Sequence, residues 1–163
     1  MQKAVADVLR LLSCISLIFQ VFSCSEPMVS ETFIKQSGRE ADGSYIFSLD
    51  LSDSLRSNIL YIYALIDAPE SAFSRMPEEL PLRIEAESPA GERYTETVAV
   101  PVDSFVNATK YSRQYESLYR SGFHPAQYGK WELSVKVLDE DRFIGFRGIG
   151  LKHIKREYTN GKR

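Results

Sequence analysis

The residues able to do chemistry are few, and their spacing limits what they could do. The chain has two histidines, His124 before Pro125 and His153 near the end of an apolar-rich run. A metal site on one element needs partners at short regular spacing, such as two histidines one helical turn apart, and neither histidine has one. Each reads as an ordinary loop or strand residue. Asp139-Glu140-Asp141 is a dense acidic run. Hard cations take about six to eight oxygens, and no glycine-bearing loop of alternating carboxylates follows, so a solvated turn is expected. Beyond Cys24 the chain has no further cysteine, no Gly-x-Ser-x-Gly elbow and no phosphate-binding glycine loop. The common nucleophilic and phosphoryl-transfer chemistries lack their signatures. No catalytic residue, metal or cofactor is expected. Asp53-Ser54-Leu55 matches the aspartate-serine-apolar acceptor of bacterial O-glycosylation, and equally a plain turn.

One thiol has a context that points to a specific modification. Lys3 and Arg10 flank a twelve-residue apolar core, Leu11 to Phe22, which closes on Val21-Phe22-Ser23-Cys24. That core is too short for the roughly 20 residues that span a bilayer, and its order is that of an export signal. Residues 1–23 read as a lipoprotein signal peptide, with Cys24 left to carry a diacylglycerol and residues 24–30 as its tether. Phe22 is bulkier than the pattern prefers. Cys14 has a better local match but almost no apolar core ahead of it. An ordinary secretory signal or a buried N-terminal helix fits the same stretch. Under the lipoprotein reading the exported chain has no cysteine pair to oxidise, so its 140 residues must be held by a hydrophobic core alone, and that length suffices for one domain.

The elements that position any site are short strands. Met28 to Gln36 reads as a weak edge strand. Tyr45, Phe47, Leu49 and Leu51 alternate with polar residues, and Ile59 to Ile66 is apolar on both faces, as a covered central strand would be. Leu80, Leu82, Ile84 and Ala86 face inward while Arg83, Glu85 and Glu87 face water, and Ser88 to Glu92 makes a turn into Tyr94 to Val102. Pro101 cannot donate to a ladder, which places that return strand at a margin. Trp131, Leu133, Val135 and Val137 alternate, and Phe143 to Ile154 returns with Gly145, Gly148 and Gly150 marking a bulge or a close backbone contact. The whole is an all-β, single antiparallel β-sandwich, jelly-roll-like, over residues 31–155, with a basic flexible tail at 156–163.

Phe105 to Tyr128 breaks this rhythm. Tyr111, Tyr115, Leu118 and Tyr119 recur at offsets of four, seven and eight and Gly122 follows, so a short amphipathic helix or ordered loop is expected. Its aromatics and its planar donors make it the expected partner or ligand surface: Tyr111, Arg113, Tyr115, Tyr119 and Arg120. The tyrosines fit packing onto the sheet as well, and Trp131 sits on the inward register and reads as core. Residues 24–105 hold six basic and fifteen acidic side chains, whereas 106–163 hold twelve basic and six acidic. The basic excess is scattered rather than clustered, so nucleic acid is not an expected partner. The expected partners are the lipid bilayer through the N-terminal acyl anchor, an envelope protein and, as the rival reading, a glycan held by exposed aromatics.

The order of lipobox, Ile59 to Ile66, hairpin through Pro89-Ala90-Gly91, and Tyr128-Gly129-Lys130-Trp131 leading into Phe143-Ile144-Gly145-Phe146-Arg147-Gly148-Ile149-Gly150-Leu151 resembles the gliding-motility lipoproteins of the GldH type. Gly148-Ile149 and Gly150-Leu151 stand where that family has its glycine-isoleucine segment and the glycine before its final strand. Asp67 and the tyrosine-rich insertion stand where the family has an arginine and a tryptophan-glycine pair. The resemblance implies a non-catalytic lipoprotein at the periplasmic face of the outer membrane, serving a motility or secretion apparatus.

Overall fold

A computed structural model describes residues 28–103 and 105–157. The signal peptide, Cys24 and residues 158–163 lie outside the described residues. The strands are β1 (Val29–Lys35), β2 (Ser44–Asp50), β3 (Arg56–Asp67), β4 (Glu79–Glu87), β5 (Arg93–Pro101), β6 (Asn107–Ala108), β7 (Ser112–Phe123), β8 (Lys130–Val137) and β9 (Phe146–Glu157), with one turn of helix, α1 (Glu70–Phe73), between β3 and β4. They form a five-stranded sheet, β1-β9-β3-β7-β6, facing a four-stranded sheet, β2-β8-β4-β5. All pairings are antiparallel. With the two-residue β6 set aside, successive strands cross between the sheets except at the β4–β5 hairpin, which is the jelly-roll order. The all-β antiparallel sandwich expected from the strand pattern is the fold.

Period-two alternation places the core. Tyr45, Phe47, Leu49 and Leu51 from β2 and the loop after it are all at most 3% exposed, and they meet Leu60, Ile62, Ala64 and Ile66 of β3 across the sandwich interior. β3 is central and largely buried on both faces, β1 lies at one edge of its sheet, and β5, which carries Pro101, lies at an edge of the other. The turn after β4 closes with Gly91 donating to the Ser88 carbonyl at 2.9 Å. On the outer face Phe33 of β1 and Tyr63 of β3 flank Gly150 of β9 in register. Their rings stack at 5.9 Å and 10°, and a Cβ on Gly150 would fall 2.0 Å from the Tyr63 ring. The glycine thus lets two aromatics meet over the strand between them. A register shift between Leu65 and Ile66 marks the bulge beside Gly148.

Residues 105–128 are not the helix or loop that the tyrosine spacing suggests. They form β6 and the twelve-residue β7. Offsets of four are even, so Tyr111, Tyr115 and Tyr119 suit a strand as well as a helix. The residue that made the pattern helical, Leu118, is half exposed opposite Tyr61. Nor does Arg156 begin a tail, because it pairs with Ser57 and Glu157 with Arg56 at the end of β9.

Candidate functional site

β7 does not run in simple register with β3. Between Asn58/Phe123 and Leu60/Arg120, and again between Leu60/Arg120 and Tyr61/Leu118, β7 uses one residue more than β3. Extra residues of this kind bend a strand and re-aim its side chains. Beside this irregular stretch the two sheets leave a cleft of about 380 Å³, within the range of about 300–1,000 Å³ usual for ligand pockets. One wall is the inner face of the four-stranded sheet: Leu49, Ala86, Tyr94, Trp131 and Leu133. The opposite wall is Leu60, Tyr119, Arg120 and Phe123, and the loop His124-Pro125-Ala126 closes the end.

The aromatic wall is held in place. Tyr94 and Trp131 stack at 6.1 Å and 28°. The Trp131 indole N–H donates to the Gln127 carbonyl at 2.9 Å, and the Gln127 amide donates to Glu92 Oε2 at 2.8 Å. The Tyr94 hydroxyl donates to the same Glu92 oxygen at 2.9 Å, and the Ala90 N–H donates to Gln127 Oε1 at 3.3 Å. The turn before β5 and the loop before β8 therefore brace both rings from behind, which reduces what a ligand must order on binding. Trp131 is half-buried with one side on the core, so its inward register leads to the cleft wall rather than to the closed interior.

A polar wall adjoins it, formed where Glu96, on the same inward face of β5 as Tyr94, reaches across to β7. Glu96 accepts from the Tyr119 hydroxyl at 2.7 Å and from the Arg120 guanidinium, both at Oε1. Arg120 also donates to the Tyr119 carbonyl at 3.0 Å and lies over the Tyr119 ring at 4.4 Å. The Arg120 hydrogen bond holds the Glu96 carboxyl below the usual carboxylate range against the opposing effect of burial, with the Tyr119 hydroxyl adding to it. Burial and the Glu96 charge push the Tyr119 phenol up. At neutral pH the wall is a carboxylate, a guanidinium and a neutral phenol.

The five residues expected to form one surface lie in three places. Tyr119 and Arg120 line the cleft. Tyr115 is 1% exposed and belongs to the core, which corrects its expected place on a surface. Arg113 packs its guanidinium on the rings of Phe73 and Phe105 at 4.1 and 4.9 Å and bonds Glu70 at 2.8 Å, and Tyr111 is exposed beside it in the chain at the other end of β7. Tyr94 and Glu96 are the cleft residues that strand reading passed over. A signal existed: both fall on the inward register of β5 with Val98 and Val100, and Glu96 stands opposite Ile84 rather than beside the outward Glu85.

The other candidates are taken up by structure. Glu140 begins a short 3-10 turn, Glu140–Arg142, and accepts from Gln36 at 2.6 Å, from Arg39, and from the Tyr45 hydroxyl at 3.1 Å. His153 is buried against Asn58 Oδ1 at 2.8 Å, and burial, then the nearby Lys155 charge, pushes its pKa down. Asp53 accepts the Leu55 N–H at 2.9 Å in a turn that leaves Ser54 exposed.

Fold and site together define a jelly-roll sandwich with an aromatic inter-sheet cleft. No protein-family model matches the chain, and no curated protein matches it. Among solved structures it is similar to CBM28, a carbohydrate-binding module specific for non-crystalline cellulose, with TM-score 0.37 and 14% identity over 79% of this chain and 73% of that one. It is also similar to the CBM22-1–GH10 modules of xylanase 10B from Clostridium thermocellum in complex with xylohexaose, with TM-score 0.37 and 11% identity over 80% of this chain and 25% of that one. Dimeric latent PorU from Porphyromonas gingivalis gives TM-score 0.36 and 7% identity over 79% of this chain, which spans only 13% of that protein.

Proposed function

We propose that this protein is a non-catalytic, lipid-anchored envelope protein that binds a short saccharide segment in the inter-sheet cleft. The observation that supports this best is the braced Tyr94–Trp131 pair beside Glu96, with Tyr119 and Arg120 opposite, in one cleft. Aromatic faces suit the apolar C–H faces of sugar rings, and a carboxylate with a guanidinium suits their hydroxyls. The leader and its Cys24 supply the envelope location, in line with the resemblance to gliding-motility lipoproteins. The test is a glycan array followed by calorimetry. Wild type should bind, and Trp131→Ala should weaken binding at least about tenfold while the domain stays folded. No bound glycan, or affinity unchanged in the variant, would remove the cleft as the site.

A second reading, docking of an envelope protein, has its own observation. Phe105, Val106 and Tyr111 are all close to half exposed or more around the β6–β7 hairpin, at the opposite end of β7 from the cleft. Loss of an envelope partner in co-purification on Phe105→Ser with Tyr111→Ser is its expected mark, and retention would refute it.

A further inference from the structure

The cleft lining contains one carboxylate and one guanidinium, Glu96 and Arg120, and they are spent on each other. We infer that this pair sets the class of glycan: the cleft takes neutral sugars and rejects those that carry carboxylates. The inference rests on the saccharide reading above and goes beyond it.

The geometry argues it from both partners. A guanidinium binds an acidic sugar through its planar fork of donors. In Arg120 one N–H of each terminal nitrogen is taken, by the Tyr119 carbonyl and by Glu96, and the guanidinium face lies on the Tyr119 ring. A uronate that reached the remaining N–H groups would stand beside Glu96, and two carboxylates would then share one cation in a partly desolvated site. Among the other lining residues only His124, in the loop that closes the cleft end, has a side chain able to carry positive charge. A neutral sugar meets no such conflict. Both internal contacts of Glu96 fall on Oε1, and Oε2 takes no partner among the described residues. It is therefore available to accept from ligand hydroxyls, as an ionised carboxylate does well. Tyr119 completes the arrangement, since its hydroxyl proton is committed to Glu96 at 2.7 Å and fixes the carboxylate beside the aromatic wall.

The experiment compares matched probes on the full chain: cello-, xylo- and galacto-oligosaccharides against oligogalacturonates of the same length, by array and then calorimetry at pH 7. Wild type should prefer its best neutral probe to the uronates by at least about tenfold, the size of one charge-assisted hydrogen bond. Glu96→Gln removes the carboxylate and frees Arg120, so neutral binding should fall about tenfold while uronate binding rises. Arg120→Gln removes the cation, so uronate binding should fall further than neutral binding does and the preference for neutral probes should widen over wild type. Thermal melts of both variants report folding. A pair with only a structural role would lower both classes of probe in parallel in both variants, and that outcome overturns the inference. Wild type that binds neutral and acidic probes equally also overturns it while leaving the saccharide reading intact. Failure of every probe to bind removes the saccharide reading and this inference with it.

Discussion

Tyr115 and Trp131 are two large rings set by different surroundings. Tyr115 is packed in the sandwich interior at 1% exposure, and burial pushes its phenol pKa up while the Arg113 charge works the other way. Its truncation to alanine leaves a cavity that close-packed neighbours fill poorly, so Tyr115→Ala should cost about 3–5 kcal/mol in urea denaturation. Trp131 keeps its core side and loses a cleft side, so Trp131→Ala should cost less, about 1–2 kcal/mol, and show instead as lost glycan affinity. Equal destabilisation by the two would mean that Trp131 is core after all and that the cleft wall is misassigned. The sequence reading put Tyr115 among the surface candidates, where the structure buries it, and put Trp131 in the core, against which it packs with one side only. Register tells which face a residue takes, but not whether the sheet opposite has pulled away at that point. That depends on the bulged pairing of a distant strand.

β9 and β7 show why some elements are legible and others are not. The strands β2, β3, β4 and β8 carry unbroken alternation or a continuous apolar run, and their apolar residues fill the core as the pattern requires. β7 has extra residues against β3, which scrambles the period-two pattern, and its end near the cleft stays partly open to solvent. The helical reading of Tyr111 to Tyr119 comes instead from Leu118, an exposed residue opposite Tyr61 whose offset from Tyr111 and Tyr115 also fits a helix. The glycines of the last strand were legible because glycine excess inside a strand has few other causes, and they differ in what they protect. Gly145 has φ +84°, and a Cβ there would stand 1.8 Å from the Asp67 carbonyl oxygen, a backbone atom whose residue is itself bonded to Gly145 at 2.9 Å. At Gly150 the obstruction is the Tyr63 ring, which can swing outward. Gly145→Ala should therefore lower stability by more than about 2 kcal/mol and Gly150→Ala by about 1 kcal/mol, as measured by denaturant midpoint. The reverse order would show that the β9 entry yields more easily than the aromatic pair above it.

Charge that is segregated along the chain is mixed in the molecule. The acidic first part supplies β1 to β5 and the basic second part β6 to β9, yet β9 lies between β1 and β3 and β8 between β2 and β4. Cross-half pairs result: Arg113 with Glu70, Arg120 with Glu96, Arg147 with Asp67 and Arg39 with Glu140. The sequence asymmetry therefore does not become two oppositely charged ends able to orient the domain at a membrane. Under the lipid-anchor proposal, orientation falls to the tether. Met28 bonds Lys155 through the backbone at 2.8 Å, Lys155 stands beside Asn58 and Asn58 beside Phe123, and Phe123 lines the cleft. The tether thus enters at the cleft end, and the four residue steps from Cys24 to Met28 reach about 14 Å when extended. Under the same proposal, a cleft held that near a bilayer would meet sugars displayed at the membrane, without needing the anchor to form its walls. Cys24→Ala should accordingly leave an uncleaved precursor or move the protein to the soluble fraction in cell fractionation, with the mature N-terminus read by mass spectrometry. Cys14→Ala should change neither. Purified Cys24→Ala protein should keep its glycan affinity within about threefold, because every contact that shapes the cleft lies between residues 49 and 133. Loss of lipid in the Cys14 variant would move the anchor, and loss of affinity in the Cys24 variant would mean that the cleft needs the membrane to form.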